Sequence, residues 1–128
     1  GLTDETVKDA PAFPEVYERI AAALNGKRVI AYNWAYDSKM LEQVCRRHGV
    51  EQFSWAAPGC AMEMYAQFWG EWNDYHGNFR WQKLREALAQ QGLKFDGSEH
   101  NAVVDCQATL ALIKKMAAFE PDAAKASP

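Results

Sequence analysis

The sequence predicts an α/β domain that is rich in helix and holds few strands. Three observations carry that reading: apolar residues recur at helical spacing in several stretches, one short β-branched run is bounded by turn residues, and the composition is apolar enough to build a core. Of 128 residues, 48% are hydrophobic and five are Trp, which favours a folded chain with a single core of ordinary size over a disordered one.

The elements follow in order. Gly1 to Pro14 is polar, carries Pro11 and Pro14, and is expected to be a lead-in. Val16, Ile20, Ala23 and Leu24 share a helical face that Asn25-Gly26 should end. Arg28-Val-Ile-Ala-Tyr32 is short and β-branched, which suits a buried parallel strand. A second helix, carried by Met40, Leu41, Val44 and Cys45, should stop near Gly49. Phe53 to Ala57 is a candidate strand closed early by Pro58-Gly59, and Cys60 to Trp69 returns to helical spacing. Gly70 to Asn78 is expected to be a polar loop bearing Trp and Tyr. Trp81 to Gln91 and His100 to Phe119 are read as helices, the latter the longest, and Glu120 to Pro128 as a frayed tail. The expectation is roughly five helices against two strands, with a domain over 1–119 and a flexible tail over 120–128.

Bulk properties narrow the function. A net charge of −3 argues against holding nucleic acid by bulk electrostatics alone, yet it is compatible with an enzyme that meets phosphates through carboxylate-bound metal ions. No apolar run approaches a membrane-spanning length and no charged-then-apolar leader opens the chain, so a soluble protein is expected. Cys45, Cys60 and Cys106 are odd in number and unpaired in spacing, which points to a reducing, cytoplasmic setting. A zinc site from Cys45, His48 and Cys60 is disfavoured, because Cys45 falls on the apolar face of its helix.

Two positions stand out chemically. Asp37 follows the Val29–Tyr32 run after a short turn and opens a helix. The C-terminal ends of strands in α/β folds collect ligands, but a carboxylate there also serves as an N-cap, so both roles stay open. In His100-Asn-Ala-Val-Val-Asp105, a His before a helix and an Asp one turn inside it can converge. The Asp would bind a divalent ion while the imidazole takes a proton from water. The alternative is a surface His and a first-turn Asp that complements the helix dipole.

Context joins the two. Val29-Ile-Ala-Tyr-Asn-Trp-Ala-Tyr-Asp37-Ser-Lys-Met-Leu41 resembles the second exonuclease motif of the DEDDh superfamily: an apolar strand, (H/Y)N, two residues, (F/Y)D and a downstream Leu. His100-x-Ala-x-x-Asp105 with Ala108-Thr109 resembles the third, HxAxxD. Trp55, Cys60-Ala-Met62, Tyr65-Ala66, Lys83-Leu84 and Ala87 match linking features of that family, and Gly1-Leu-Thr-Asp-Glu with Asp9-Ala-Pro11-x-Phe13 is similar to the stretch after its third strand. The similarity runs from Gly1 to about Met116, in order and spacing.

The resemblance implies an RNase H-like fold and a metal-dependent 3′–5′ exonuclease, of the group that includes the proofreading subunit of bacterial replicative polymerase, ribonuclease T and oligoribonuclease. It implies two Mg²⁺ or Mn²⁺ ions, with Asp105 as a direct ligand, Asp37 completing the acidic cluster directly or through water, and His100 as general base. The His, rather than a Tyr nearer the Asp, marks the h subclass. Single-stranded DNA or RNA 3′ ends would be the substrate, which Asn33, Trp34 and Tyr36 would contact.

The family's first motif, Asp-x-Glu on the central strand, occurs nowhere in the sequence, and Asp4-Glu5 aligns downstream of it. The fold is therefore expected to be N-terminally truncated, with this chain inactive alone and the Val29–Tyr32 strand left with an open edge. A homodimer would cover that edge. An upstream Asp-x-Glu within about sixty residues, the room three strands occupy, would favour the enzyme; the alternative is a non-catalytic nucleic-acid-binding or protein-interaction module. Trp69, Trp72, Tyr75, Phe79 and Trp81 interleave with Arg80, Lys83 and Arg85, and are expected to pack against the body in preference to stacking bases. Of Tyr32, Trp34 and Tyr36, alternate rings should be core, with Trp34 the one expected to touch a terminal nucleotide.

Overall fold

The computed structural model describes residues 2–95 and 101–121, which divide into two units, Gly1–Ala61 and Met62–Pro128. Helices dominate and the strands are few and short, as the patterning predicts.

The first unit opens with a short helix, α1 (Asp4–Val7), within the segment read from the sequence as a polar lead-in. Thr3 explains it: its hydroxyl accepts from the Thr6 N–H at 3.3 Å, and the Thr6 hydroxyl accepts from the Thr3 N–H at 2.8 Å, so two helix-end donors are satisfied reciprocally. Helix α2 (Phe13–Leu24) has Pro14 in its first turn, where the missing N–H costs nothing, and the Glu15 carboxylate accepts from the Ala12 N–H at 2.6 Å. Strand β1 (Ile30–Ala31) pairs in parallel with β2 (Gly59–Cys60), Ile30 opposite Gly59 and Ala31 opposite Cys60.

That pairing begins before the formal strands. Gly26 N–H donates to the Ser54 carbonyl at 2.8 Å, Ala56 N–H to Lys27 at 2.8 Å, and Gly59 N–H to Val29 at 2.9 Å. The strand expected over Phe53 to Ala57 is thus displaced to Gly59–Cys60. Phe53 is used otherwise: its ring is buried with Ala21 and Cys45, and stacks on Tyr17 at 5.4 Å. Phe13, Ile20, Leu24, Leu41, Val50 and Trp55 close around this core.

Helix α3 (Trp34–His48) starts three residues earlier than Asp37, and ends at Gly49 as expected. Gly49 has φ +63°, the left-handed conformation that glycine adopts without a Cβ clash, and Val50 N–H returns to the Cys45 carbonyl at 3.1 Å. Cys45, fully buried, lies on the core face, as its place in the apolar stripe requires.

In the second unit α4 (Ala61–Trp69) leads into a β-hairpin, β3 (Trp72–Asn73) and β4 (Asn78–Phe79), where a polar loop is expected from the sequence. Helix α5 (Leu84–Gln90) is shorter than the expected Trp81–Gln91, because the chain stays extended through Lys83, whose N–H is taken by the Glu86 carboxylate at 3.3 Å. It packs against α6 (Ala102–Ala117). Met62, Tyr65, Ala66, Ala87, Leu88, Ala108 and Leu112 are buried, and Phe68 meets Phe119 edge to face at 5.3 Å. The expected tail lies outside the described residues beyond Pro121.

Phe53→Ala should cost about 3 kcal/mol, because it removes a ring held by two aromatic neighbours and leaves a cavity. Urea unfolding followed by Trp fluorescence measures this; a loss below about 1 kcal/mol would show that Phe53 does not anchor the first unit.

Candidate active site

Both acidic positions read from the sequence sit at the same place on their helices. Asp37 is four residues after Asn33, the N-cap of α3; Asp105 is four residues after Asn101, the N-cap of α6. Each Asp N–H donates to the carbonyl of its Asn, Asp37 to Asn33 at 3.4 Å and Asp105 to Asn101 at 2.9 Å, so each closes the first turn of its helix. Asp37 is therefore not the N-cap that one reading of its position allowed: the helix is already under way when the chain reaches it.

The two caps differ. Asn101 is extended, and its side-chain oxygen accepts from the Val103 and Val104 N–H groups at 3.1 and 3.3 Å. This role was missed in the sequence, although an Asn directly before an apolar helix is a standard start signal. Asn33 instead turns the chain with its backbone, at φ 70° and ψ 61°, a conformation that Asn tolerates better than most residues. It makes no side-chain cap bond, so its amide stays available at the C-terminal end of β1.

The aromatics around this turn do not alternate as expected for an extended chain, because Trp34 and Tyr36 are already helical. Trp34 is half-buried and meets Trp55 edge to face at 4.7 Å. Tyr36 is open, 61% exposed, and offers the freer ring.

Electrostatics separates Asp37 from an ordinary surface carboxylate. Asp37 is exposed as a residue, yet loss of hydration raises its carboxyl pKa above the usual carboxylate range. Asp105 is half-buried; its carbonyl accepts from the Thr109 hydroxyl at 2.8 Å, which anchors the backbone beneath it. Among the described residues neither carboxylate has a hydrogen-bond or ion-pair partner. Hard oxygen donors left in this state suit a hard divalent cation. No group of three His, Cys, Asp or Glu side chains that could hold a metal ion occurs among the described residues. Asp37 belongs to the first unit and Asp105 to the second, and His100 lies outside the described residues.

Because the Asp37 pKa is raised on folding, the folded state holds this proton more tightly than the unfolded chain. Well below the ordinary carboxyl pKa the group has no effect on stability; as pH rises through and above it, folding loses stability. Asp37→Asn should therefore match the parent near about pH 3 and gain on it towards about pH 6. Thermal melts across that range test this, and a variant that falls behind as pH rises would contradict the direction.

Comparison with known proteins gives the family. The RNase T family model, described as an exonuclease, matches residues 1–113. The chain is 32% identical over 122 residues to the uncharacterized exonuclease CP81 of Escherichia phage 186, an alignment that covers 91% of this chain and 62% of that protein. The chain thus spans less than two thirds of that relative's length. No solved structure is a significant match. The match reaches across both units and both Asn-x-x-x-Asp helix starts, and the chain belongs to the RNase T exonuclease family, with its helix-rich α/β, RNase H-like fold.

Proposed function

We propose that this chain carries the second and third acidic motifs of a divalent-metal-dependent 3′–5′ exonuclease acting on single-stranded DNA or RNA. The observation that supports it best is the repeated helix start: two Asn caps, each followed four residues later by an Asp whose carboxylate has no protein partner among the described residues. A carboxylate left unpaired at a helix start, in one case against a desolvation cost, is better suited to a ligand than to stability.

In this reading Asp105 and Asp37 would hold Mg²⁺ or Mn²⁺, and His100 would take the proton of the attacking water. The metal, when bound, polarises the scissile phosphate. The chain's own residues position the strand: the Asn33 amide and the Tyr36 ring face the terminal nucleotide, and Trp34, braced on Trp55, supports the turn beneath them. The Asp-x-Glu motif is absent from these 128 residues, and in this reading the chain alone is inactive.

Asp105→Ala should abolish stepwise, Mn²⁺-dependent shortening of 5′-labelled single strands by a form that also carries an Asp-x-Glu motif. It should change stability by only about 0.3–1 kcal/mol, the worth of a first-turn carboxylate at the dipole. Normal cleavage by that variant would remove Asp105 from the site, and a ladder from the 128-residue chain alone would remove the requirement for a further motif.

We also propose that a second copy covers the first unit. Strand β1 has β2 as its one strand partner among the described residues, and α2 has an open apolar groove along Val16, Arg19, Ile20, Ala23 and Leu24. Light scattering at micromolar concentration should give twice the chain mass; a monomer would overturn this. Three free cysteines, one of them buried, agree with a reducing, cytoplasmic setting. No helix among the described residues is long and apolar enough to cross a membrane.

A further inference from the structure

The hairpin of the second unit presents its rings to solvent. Trp72 is 53% exposed, Tyr75 90% and Trp81 58%, which overturns the expectation that these aromatics pack on the body. Trp34 and Trp55 of the first unit behave otherwise: both are half-buried, and they meet each other edge to face at 4.7 Å. Trp34 adjoins Asn33 and is the first residue of the helix that carries Asp37. Trp55 comes from the segment after Phe53, so the pair ties the acidic turn to a distant stretch of chain.

Trp55 is held from both sides. Before it, the turn after α2 takes both polar backbone groups of Ser54. The Asn25 side-chain oxygen accepts from the Ser54 N–H at 2.8 Å, and the Gly26 N–H donates to the Ser54 carbonyl at 2.8 Å. After it, the Ala56 N–H donates to the Lys27 carbonyl at 2.8 Å. The Trp55 side chain packs against the core of Ala21, Cys45 and Phe53. Asn25 is itself anchored, because its N–H closes on the Ala21 carbonyl at 2.8 Å where α2 ends. That cap uses the backbone of Asn25 and leaves its side chain to grip Ser54.

At the other end of this linkage is a turn of unfavourable conformation. Asn33 sits at φ 70° and ψ 61°, which costs any residue but glycine and persists only where the surroundings enforce it. Its side chain makes no capping bond that would do so. The ring contact beside the turn is that of Trp34 on Trp55, and an edge-to-face pair contributes beyond the area it buries. Fixing the first residue of α3 fixes where the helix starts, and with it where Asp37 stands one turn later. We propose that Asn25 and Trp55 are positioning residues for Asp37, acting through Ser54 and Trp34 to hold the left-handed turn at Asn33. The proposal rests on the nuclease reading for its purpose and on the first unit alone for its geometry.

Amide hydrogen exchange of the metal-free 128-residue chain, followed residue by residue by NMR, tests this. The Tyr36 and Asp37 N–H groups, both bonded to the Asn33 carbonyl, report the turn. The Gly49 and Val50 N–H groups, bonded to the Arg46 and Cys45 carbonyls, report the far end of the same helix. Trp55→Ala and Asn25→Ala should each speed exchange at Tyr36 and Asp37 about threefold or more and leave Gly49 and Val50 unchanged. Trp55→Phe keeps a ring against Trp34, and Asn25→Asp keeps an oxygen for the Ser54 N–H, so both should restore most of the protection. Asn25→Ala is the milder change, at an exposed residue with extended backbone, and it decides the matter if Trp55→Ala does not fold. Unchanged exchange at Tyr36 and Asp37 in folded Asn25→Ala would overturn the proposal. So would an equal rise at Gly49 and Val50, which marks a loosening of the whole unit. Failure of the nuclease reading has a separate signature, normal cleavage by Asp105→Ala, which leaves this exchange comparison untouched.

Discussion

Three backbone hydrogen bonds, Gly26 to Ser54, Ala56 to Lys27 and Gly59 to Val29, set the geometry of the first unit. They lay the segment after Phe53 alongside the segment that becomes β1. Each contributes only about 1 kcal/mol net, so their importance is positional more than energetic. With the pair in register, β1 ends at Ala31, and the chain leaves the sheet within two residues. Asn33 makes that exit in the left-handed conformation, and α3 starts at once. The position of Asp37 one turn into the helix, at the C-terminal end of a parallel strand, follows from that register.

The second unit rests on a different device. Tyr65 is fully buried, and its hydroxyl both donates to Gln90 and accepts from Gln91. Gln90 and Gln82 pass the chain of bonds outward to Glu71. Neutral amides suit this task because each can donate and accept, so the relay reaches from core to surface without burying a charge. Burial raises the Tyr65 pKa above that of a free phenol. Among the described residues no buried side-chain nitrogen or oxygen lacks a partner.

Legibility of the fold varied with the kind of signal. Helix periodicity identified α2, α3, α4 and α6 because an amphipathic stripe is a local property, and Gly49 marked the end of α3 because the left-handed cap needs a residue without a Cβ. Phe53 to Ala57 misled because apolar residues look alike whether they face a helix core or join a sheet, and Phe53 took the first role. The hairpin escaped notice because its strands are two residues long and aromatic, with no Asn-Gly turn to announce them. Thr3 and Asn101 carried readable capping signals, yet the capping of α1 and α6 was not drawn from them.

The sequence by itself determined the family, the helix-rich class and the two acidic motifs, because these depend on residue types at fixed spacings along the chain. Only the tertiary structure decided which ring beside Asp37 stays open, that loss of hydration raises the pKa of that carboxyl, and that the hairpin turns its aromatics outward. Those outcomes depend on what packs against each side chain from distant segments, as Trp55 does on Trp34, and spacing along the chain does not encode them.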